Sequence, residues 1–228
     1  MLYKTKSTVF NVNADCIVNT INCDGFMGKG LALEFALRYP KLNEIYQDQC
    51  KKKLLHTGKV YVYNIDGQCI INFPTKYHFQ FPSKYEWIEQ GLNHFVNIYK
   101  ELKIRSIAFP LLGARNGELD PKIVIEIMEK YLSKLDIDVY ICLDSSPEAE
   151  GKEKEMLDLF NNYNMQNLSK KLKLNDSQSE FLVSKMPFNR FWQIGLEKPI
   201  KGAAYKKIFN FFYNYTLKDD EPEQLSLF

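Results

Sequence analysis

Two glycine-bearing segments carry most of the chemistry this sequence offers. Asn19-Thr20-Ile21-Asn22-Cys23-Asp24-Gly25-Phe26-Met27-Gly28-Lys29-Gly30-Leu31-Ala32 leaves a strand-like run, sets three glycines within six positions and enters an amphipathic pattern. Glycines there let backbone approach a ligand closely, and the unspent N–H groups of the following helix start, with its dipole, favour an anion such as phosphate. Phe109-Pro110-Leu111-Leu112-Gly113-Ala114-Arg115-Asn116-Gly117-Glu118-Leu119-Asp120 repeats the arrangement, with a helix beginning near Pro121. Loops at the carboxyl ends of strands of one sheet face a common crevice, where open α/β sheets bind ligands. Together they predict a diphosphate held from two sides. Neither segment matches GxxxxGK[ST], and Asn22 to Ala32 does not supply GxGxxG, so the ATP and dinucleotide fingerprints lose ground. Tight turns whose glycines serve only packing share this composition.

A third segment, Thr75-Lys76-Tyr77-His78-Phe79-Gln80-Phe81-Pro82-Ser83-Lys84-Tyr85, interleaves cations with aromatics. That pattern suits stacking on the bases of a single strand with lysines on its phosphates, and equally a partly buried loop. His56, His78 and His94 are too scattered for a zinc site, and a surface or packing role suits His78. Five cysteines, Cys16, Cys23, Cys50, Cys69 and Cys142, form an odd count without a CxxC pair, which predicts reduced, mostly buried thiols. No metal or cofactor is implied.

The elements that must position these segments follow from periodicity. Strand patterns fall at Asp15 to Asn19, Lys59 to Asn64, Cys69 to Phe73, Ser106 to Pro110 and Asp138 to Leu143. Helical spacing joins Leu31, Phe35, Leu37 and Tyr39, then Trp87, Leu92, Phe95, Val96 and Tyr99, then Ile123, Ile127, Met128, Tyr131 and Leu132. Strands alternating with helices predict an α/β domain around a central sheet. Composition breaks at Ser145-Ser146-Pro147-Glu148, so the reading is a domain over 1–147, a small, mainly helical region over 148–217 and an acidic, proline-interrupted tail over 218–228. The 228 residues carry 30 Lys and Arg against 28 Asp and Glu, a net charge of +2 that excludes a strongly basic coat protein and leaves room for a local basic patch. No run of eighteen or more apolar residues occurs, and Met1-Leu2-Tyr3-Lys4-Thr5-Lys6 lacks the apolar core of a signal peptide; the expectation is a cytoplasmic protein with no membrane contact.

Val18 to Asn22 with Gly25 to Ala32, then Ile71-Asn72-Phe73-Pro74-Thr75-Lys76, then Gly113 to Asp120, resemble a macrodomain over roughly residues 1–145. The likeness is to the branch of DNA ADP-ribosyl glycohydrolase antitoxins (DarG) and terminal ADP-ribose protein glycohydrolases. It implies a three-layer α/β/α fold with a mixed central sheet, binding ADP-ribose through a set of residues that includes Asn19, Gly25, Met27, Leu112 and Arg115. By the same likeness Asn22 touches the distal ribose, which Gly28, Gly30 and Leu31 line, while Gly113, Ala114, Asn116 and Gly117 give backbone donors to the diphosphate. Lys76 matches a lysine that attacks the anomeric carbon, and Asp120 an acidic residue that assists breakdown of the sugar adduct. One departure concerns the adenine: where many macrodomains carry a carboxylate for its amino group, this chain has Ser7-Thr8-Val9-Phe10, which leaves Thr8, Val9 and backbone groups.

Elementary chemistry constrains these roles. A lysine attacks carbon only when neutral, which requires desolvation among groups such as Phe73 and Pro74, whereas a nearby diphosphate pushes its pKa the other way. Pairing with phosphate, or reaching out to water, are the other readings of Lys76. Asp120, just before Pro121, also suits a plain helix cap. The last residues, Gln224-Leu225-Ser226-Leu227-Phe228, are similar to the bacterial sliding-clamp binding peptide, in which Gln224, Leu225, Leu227 and Phe228 would dock on the clamp. The resemblance, with the clamp-like peptide favouring DNA, implies an ADP-ribosyl hydrolase acting on modified nucleic acid, DNA foremost, and opposing a DarT-like toxin. The alternatives are a module that holds ADP-ribose without cleaving it, a hydrolase of protein-linked ADP-ribose, and an antitoxin that acts by direct contact.

Overall fold

The computed structural model describes residues 1–219. The clamp-like peptide Gln224 to Phe228 lies outside them. The chain divides into two units, Met1–Ser145 and a second from Ser146 onward.

In the first unit the strands are β1 (Leu2–Thr5), β2 (Cys16–Asn22), β3 (Tyr61–Ile65), β4 (Gln68–Lys76), β5 (Ser106–Pro110) and β6 (Asp138–Cys142), and the helices α1 (Gly30–Arg38), α2 (Pro40–Lys51), α3 (Tyr85–Ile98) and α4 (Pro121–Leu132). The sheet order is β1-β6-β5-β2-β4-β3. All neighbours are parallel except β3 and β4, so the sheet is mixed, as the resemblance implies. The antiparallel pair is a two-residue hairpin through Asp66 and Gly67, both at positive φ, the turn that Asp-Gly favours.

The alternation of strand side chains sorts the core into two faces. Cys16, Val18, Ile71, Phe73, Ile107 and Phe109 point one way into a cluster that takes in α3 and α4. Ile17, Ile70 and Ala108 point the other way, toward Phe35 of α1 and Leu42 of α2. Helix α3 reaches β4 so closely that a Cβ added at Gly91 would lie 2.3 Å from the Phe73 ring.

Strand β1 is absent from the sequence reading: it is short and half exposed, and its place beside β6 is fixed by backbone pairing rather than by pattern. The single helix expected to open at Leu31 stops at Arg38, and Pro40 begins a second, because proline is preorganised for a first helical position.

The second unit comprises α5 (Gly151–Asn162), α6 (Met165–Leu172), α7 (Asp176–Lys185) and α8 (Ala203–Asp219), with a 3-10 turn at Phe191–Gly195. Asn164 caps α6, and Asn175 with Gln178 forms a capping box on α7. Phe160, Phe191 and Phe212 pack edge to face with ring centres 5.4, 6.1 and 6.3 Å apart. No helix of the described residues is long and apolar enough to cross a membrane.

Candidate active site

The strand order puts the topological switch point between β2 and β5, whose carboxyl ends feed the two glycine loops. The loops meet there. A Cβ added at Gly30, whose φ is +54°, would lie 2.8 Å from Asn116 Nδ2, so the backbone of one loop abuts a side chain of the other. Among the described residues, the N–H groups of Ala114, Arg115, Asn116 and Gly117 donate to no acceptor of the chain. Facing them, α1 starts at Gly30 behind Lys29, which gives no side-chain cap, so its first-turn donors are also unspent. Where the loops meet, unspent N–H groups therefore come from both of them, and such groups are the donors that anion sites use.

The Gly113–Gly117 loop is held from three directions. Gly113 sits at φ +71°, and its carbonyl accepts from Leu119 N at 3.1 Å. Ser83 N donates to Gly117 O at 2.9 Å. The Arg115 guanidinium reaches the end of β6, donating to Asp144 Oδ2 at 2.7 Å, to Leu143 O at 3.3 Å and to Asp144 O. Asp144 N in turn donates to Ser7 O, tying this clasp to the segment read as the adenine side. There Thr8 Oγ1 accepts from Phe10 N at 3.2 Å, and Val9 is buried. Gly117 has no room for a side chain: a Cβ would lie 2.2 Å from Gly113 O and 2.3 Å from Ser83 Oγ. Gly117→Ala is therefore expected to open the loop and weaken ADP-ribose binding at least about tenfold in calorimetry; unchanged affinity would detach the loop from the ligand.

The loop after β2 is organised by Asn22 and Tyr46. Asn22 Oδ1 accepts from Asp24 N at 2.9 Å, Phe26 N at 3.3 Å and Tyr46 OH at 2.8 Å, while Nδ2 donates to Phe26 O at 2.8 Å. The buried Tyr46 hydroxyl also accepts from Gly25 N at 3.1 Å. Asn22 thus shapes the loop with most of its amide. Beneath it lie Asn19, whose Nδ2 donates to Asn72 Oδ1 at 2.9 Å, and Met27, both buried. Gly28 accommodates the Phe26 ring, which a Cβ there would meet at 2.3 Å.

Lys76 ends β4, and an irregularity in the β2–β4 register decides what it stands beside. Ile21 pairs with Pro74 but Asn22 pairs with Lys76, so Thr75 is passed over and Lys76 comes level with Asn22. Burial holds the Lys76 ammonium below its ordinary pKa; the Glu118 carboxylate opposes that shift, and the Lys29 ammonium reinforces it. Its Nζ donates to Phe79 O at 3.5 Å.

Asp120 caps α4, its Oδ1 accepting from Lys122 N at 2.8 Å and its own N–H donating to Tyr85 OH at 3.1 Å. Glu118, at φ +64°, is the carboxylate whose field reaches Lys76. The sequence reading gave no role to Glu118, Tyr46 or Ser83. A non-glycine residue inside a glycine loop is the one available signal for Glu118; Tyr46 acts 24 positions from Asn22 and carries none.

The family model for the Macro domain matches residues 18–128. The chain is 40% identical over 152 residues to the DNA ADP-ribosyl glycohydrolase of Mycobacterium tuberculosis, a match spanning 64% of this chain and 43% of that protein. The chain thus spans less than half the length of that curated relative. Among solved structures, the macrodomain of Mycobacterium tuberculosis DarG is 37% identical with a TM-score of 0.61, covering 62% of this chain and 97% of that one. Thermosipho africanus DarTG in complex with ADP-ribose is 33% identical with a TM-score of 0.58, covering 64% of this chain and 42% of that one.

Proposed function

The chain belongs to the macrodomain family, and from that premise we propose that it is an ADP-ribosyl glycohydrolase that removes ADP-ribose from nucleic acid, DNA foremost, in opposition to a DarT-like toxin. The observation that carries the reading is the position of Lys76: level with Asn22 at the strand ends, with its ammonium disfavoured by burial, beside a crevice lined by unspent N–H groups. The two sets of donors take the diphosphate and fix the distal ribose beside the lysine. Relatives named for DNA ADP-ribosyl glycohydrolysis support the choice of DNA.

In this reading neutral Lys76 Nζ attacks C1″ of the distal ribose, its lone pair forming the new C–N bond as the bond from C1″ to the base nitrogen breaks and that nitrogen takes up a proton. The C1″–O4″ bond then breaks, O4″ gains a proton, Nζ loses its own protons, and the ring opens to an imine. Water adds to the imine carbon and the C–N bond breaks, returning the amine and releasing ADP-ribose. Asp120 and Glu118 are the carboxylates available to move protons, and Glu118 also bears on the lysine's charge.

The test is incubation with a single-stranded oligonucleotide bearing ADP-ribose on one thymine, with free ADP-ribose as the product measured. Release by the wild-type chain is expected. Binding of ADP-ribose without release would leave a reader module instead.

The protein is proposed to work in the cytoplasm, and the Gln224 to Phe228 peptide to dock on a sliding clamp, which would bring the enzyme to DNA under replication or repair. Deleting those five residues should abolish co-elution with the clamp.

A further inference from the structure

Outside the anion crevice, the largest unexplained feature of the first unit is a group of exposed rings around Lys76. Phe26, Tyr77, Phe79 and Phe81 are 52%, 63%, 41% and 62% exposed, and the three phenylalanines among them are the exposed ones of the described residues. The rings are not splayed at random. Phe26 and Phe79 lie 5.1 Å apart across the two loops, His78 stacks on Phe79 at 4.8 Å, and His78 meets Phe81 at 5.1 Å.

Polar contacts lock this arrangement from below. Asp24 Oδ2 accepts from Phe79 N at 3.0 Å and lies 3.3 Å from His78 Nε2. His78 Nδ1 accepts from Gln80 N at 3.2 Å. The same segment touches the site, since Lys76 Nζ donates to Phe79 O.

We propose that these rings form a stacking platform for the bases that flank the modified nucleotide in single-stranded DNA. The inference rests on the reading of the substrate as ADP-ribosylated DNA and adds how the strand itself is held. Three features select a strand over a protein surface. The platform is continuous with the lysine that the modified nucleotide must reach. From Lys76 to Tyr85 the chain carries two lysines and no carboxylate, a polarity that suits phosphates. Phe26, Phe79 and Phe81, held by contact with one another or with His78, lose little freedom on stacking, and every base offers them and the exposed Tyr77 ring a π-face. Paired bases do not, so a duplex is excluded from this mode.

The experiment measures affinity in the Lys76→Ala background of the 228-residue chain, where turnover does not interfere. The probes are an ADP-ribosylated thymidine nucleoside, a single-stranded oligonucleotide carrying the same group at its centre, that oligonucleotide annealed to its complement, and an ADP-ribosylated glutamate peptide. The single strand is expected to bind at least about tenfold more tightly than the nucleoside, and annealing to remove that gain. Adding Tyr77→Ala or Phe81→Ala should each cost the single strand about tenfold and leave the nucleoside unchanged, while Phe81→Trp retains the gain. Equal affinity for nucleoside and strand, equal losses on both, tight duplex binding, or a peptide that binds as well as the strand would each overturn the platform. Release of ADP-ribose from the nucleoside by the wild type is scored separately. Its absence with the stacking pattern intact counts against the hydrolase reading alone, and its presence without the pattern counts against the platform alone.

Discussion

Replacing Lys76 by alanine is expected to lower the release of ADP-ribose from a modified oligonucleotide by at least about a thousandfold, equivalent to about 4 kcal/mol of transition-state stabilisation, while calorimetry finds ADP-ribose still bound. Lys76→Arg should be as inactive, because a guanidinium holds the charge but never presents a neutral amine. Undiminished release by Lys76→Ala would remove the lysine from the chemistry. The pH dependence follows from the direction of its shift. Burial lowers the folded-state pKa, so the neutral fraction at a given pH exceeds that of a free lysine, and release should rise with pH until the lysine is deprotonated. The same shift bears on stability. Folded Lys76 binds fewer protons than unfolded Lys76, so its contribution is unfavourable below the folded pKa and relieved as pH rises toward the unfolded value. Lys76→Met is therefore expected to melt at or above the wild-type temperature at neutral pH while losing activity, the pattern of a residue kept for function. A variant that loses both would point to a structural role.

Much of the site was legible because its determinants are local. Glycines with their following helix starts mark the two loops, and alternating apolar runs mark the strands that carry them. Asn22 and Lys76 lie just past the strands expected from pattern, Asp15 to Asn19 and Cys69 to Phe73, and the observed strands run on to include them. Their standing side by side could not be read from pattern, because it depends on one residue being passed over in the register, which neither strand's pattern encodes. Tyr46 illustrates the same limit: it lies on the buried face of an ordinary amphipathic helix, and only the path of the chain brings its hydroxyl to Asn22. The aromatic segment after Lys76 had two readings of equal standing, stacking surface or partly buried loop. Both descriptions apply, with His78 and Ser83 turned inward and Phe79 and Phe81 outward. In the second unit the helix caps were written locally in Asn164 and Asn175, whereas the pairing of Glu153 with Arg190, 37 positions on, was not.

That pair gives the remaining large expected effect. Glu153 and Arg190 side chains are 10% and 5% exposed, with Arg190 Nε donating to both carboxylate oxygens at 3.0 and 3.1 Å. Glu153 Oε1 also accepts from Phe191 N at 2.9 Å, and Arg190 Nη1 donates to Ser146 O at 2.8 Å. Removing one partner of such a pair strands the other charge away from water, so Glu153→Ala should destabilise the second unit by about 3–5 kcal/mol. The two tryptophans, Trp87 and Trp192, fall one in each unit, so urea unfolding followed in a Trp87→Phe background reports on the second alone. An unshifted Trp192 transition would refute the assignment. The double variant Glu153→Leu with Arg190→Met, which leaves no unpaired charge, should recover most of the loss. Release of ADP-ribose is expected to survive Glu153→Ala, because every group assigned to the chemistry lies within Met1–Ser145, whose apolar clusters are its own. The two variants then separate two ways of opposing a toxin. Cells challenged with a DarT-like toxin should lose protection with Lys76→Ala and keep it with Glu153→Ala if the chain acts by reversing the modification. The opposite pattern would assign protection to direct contact through the helical unit.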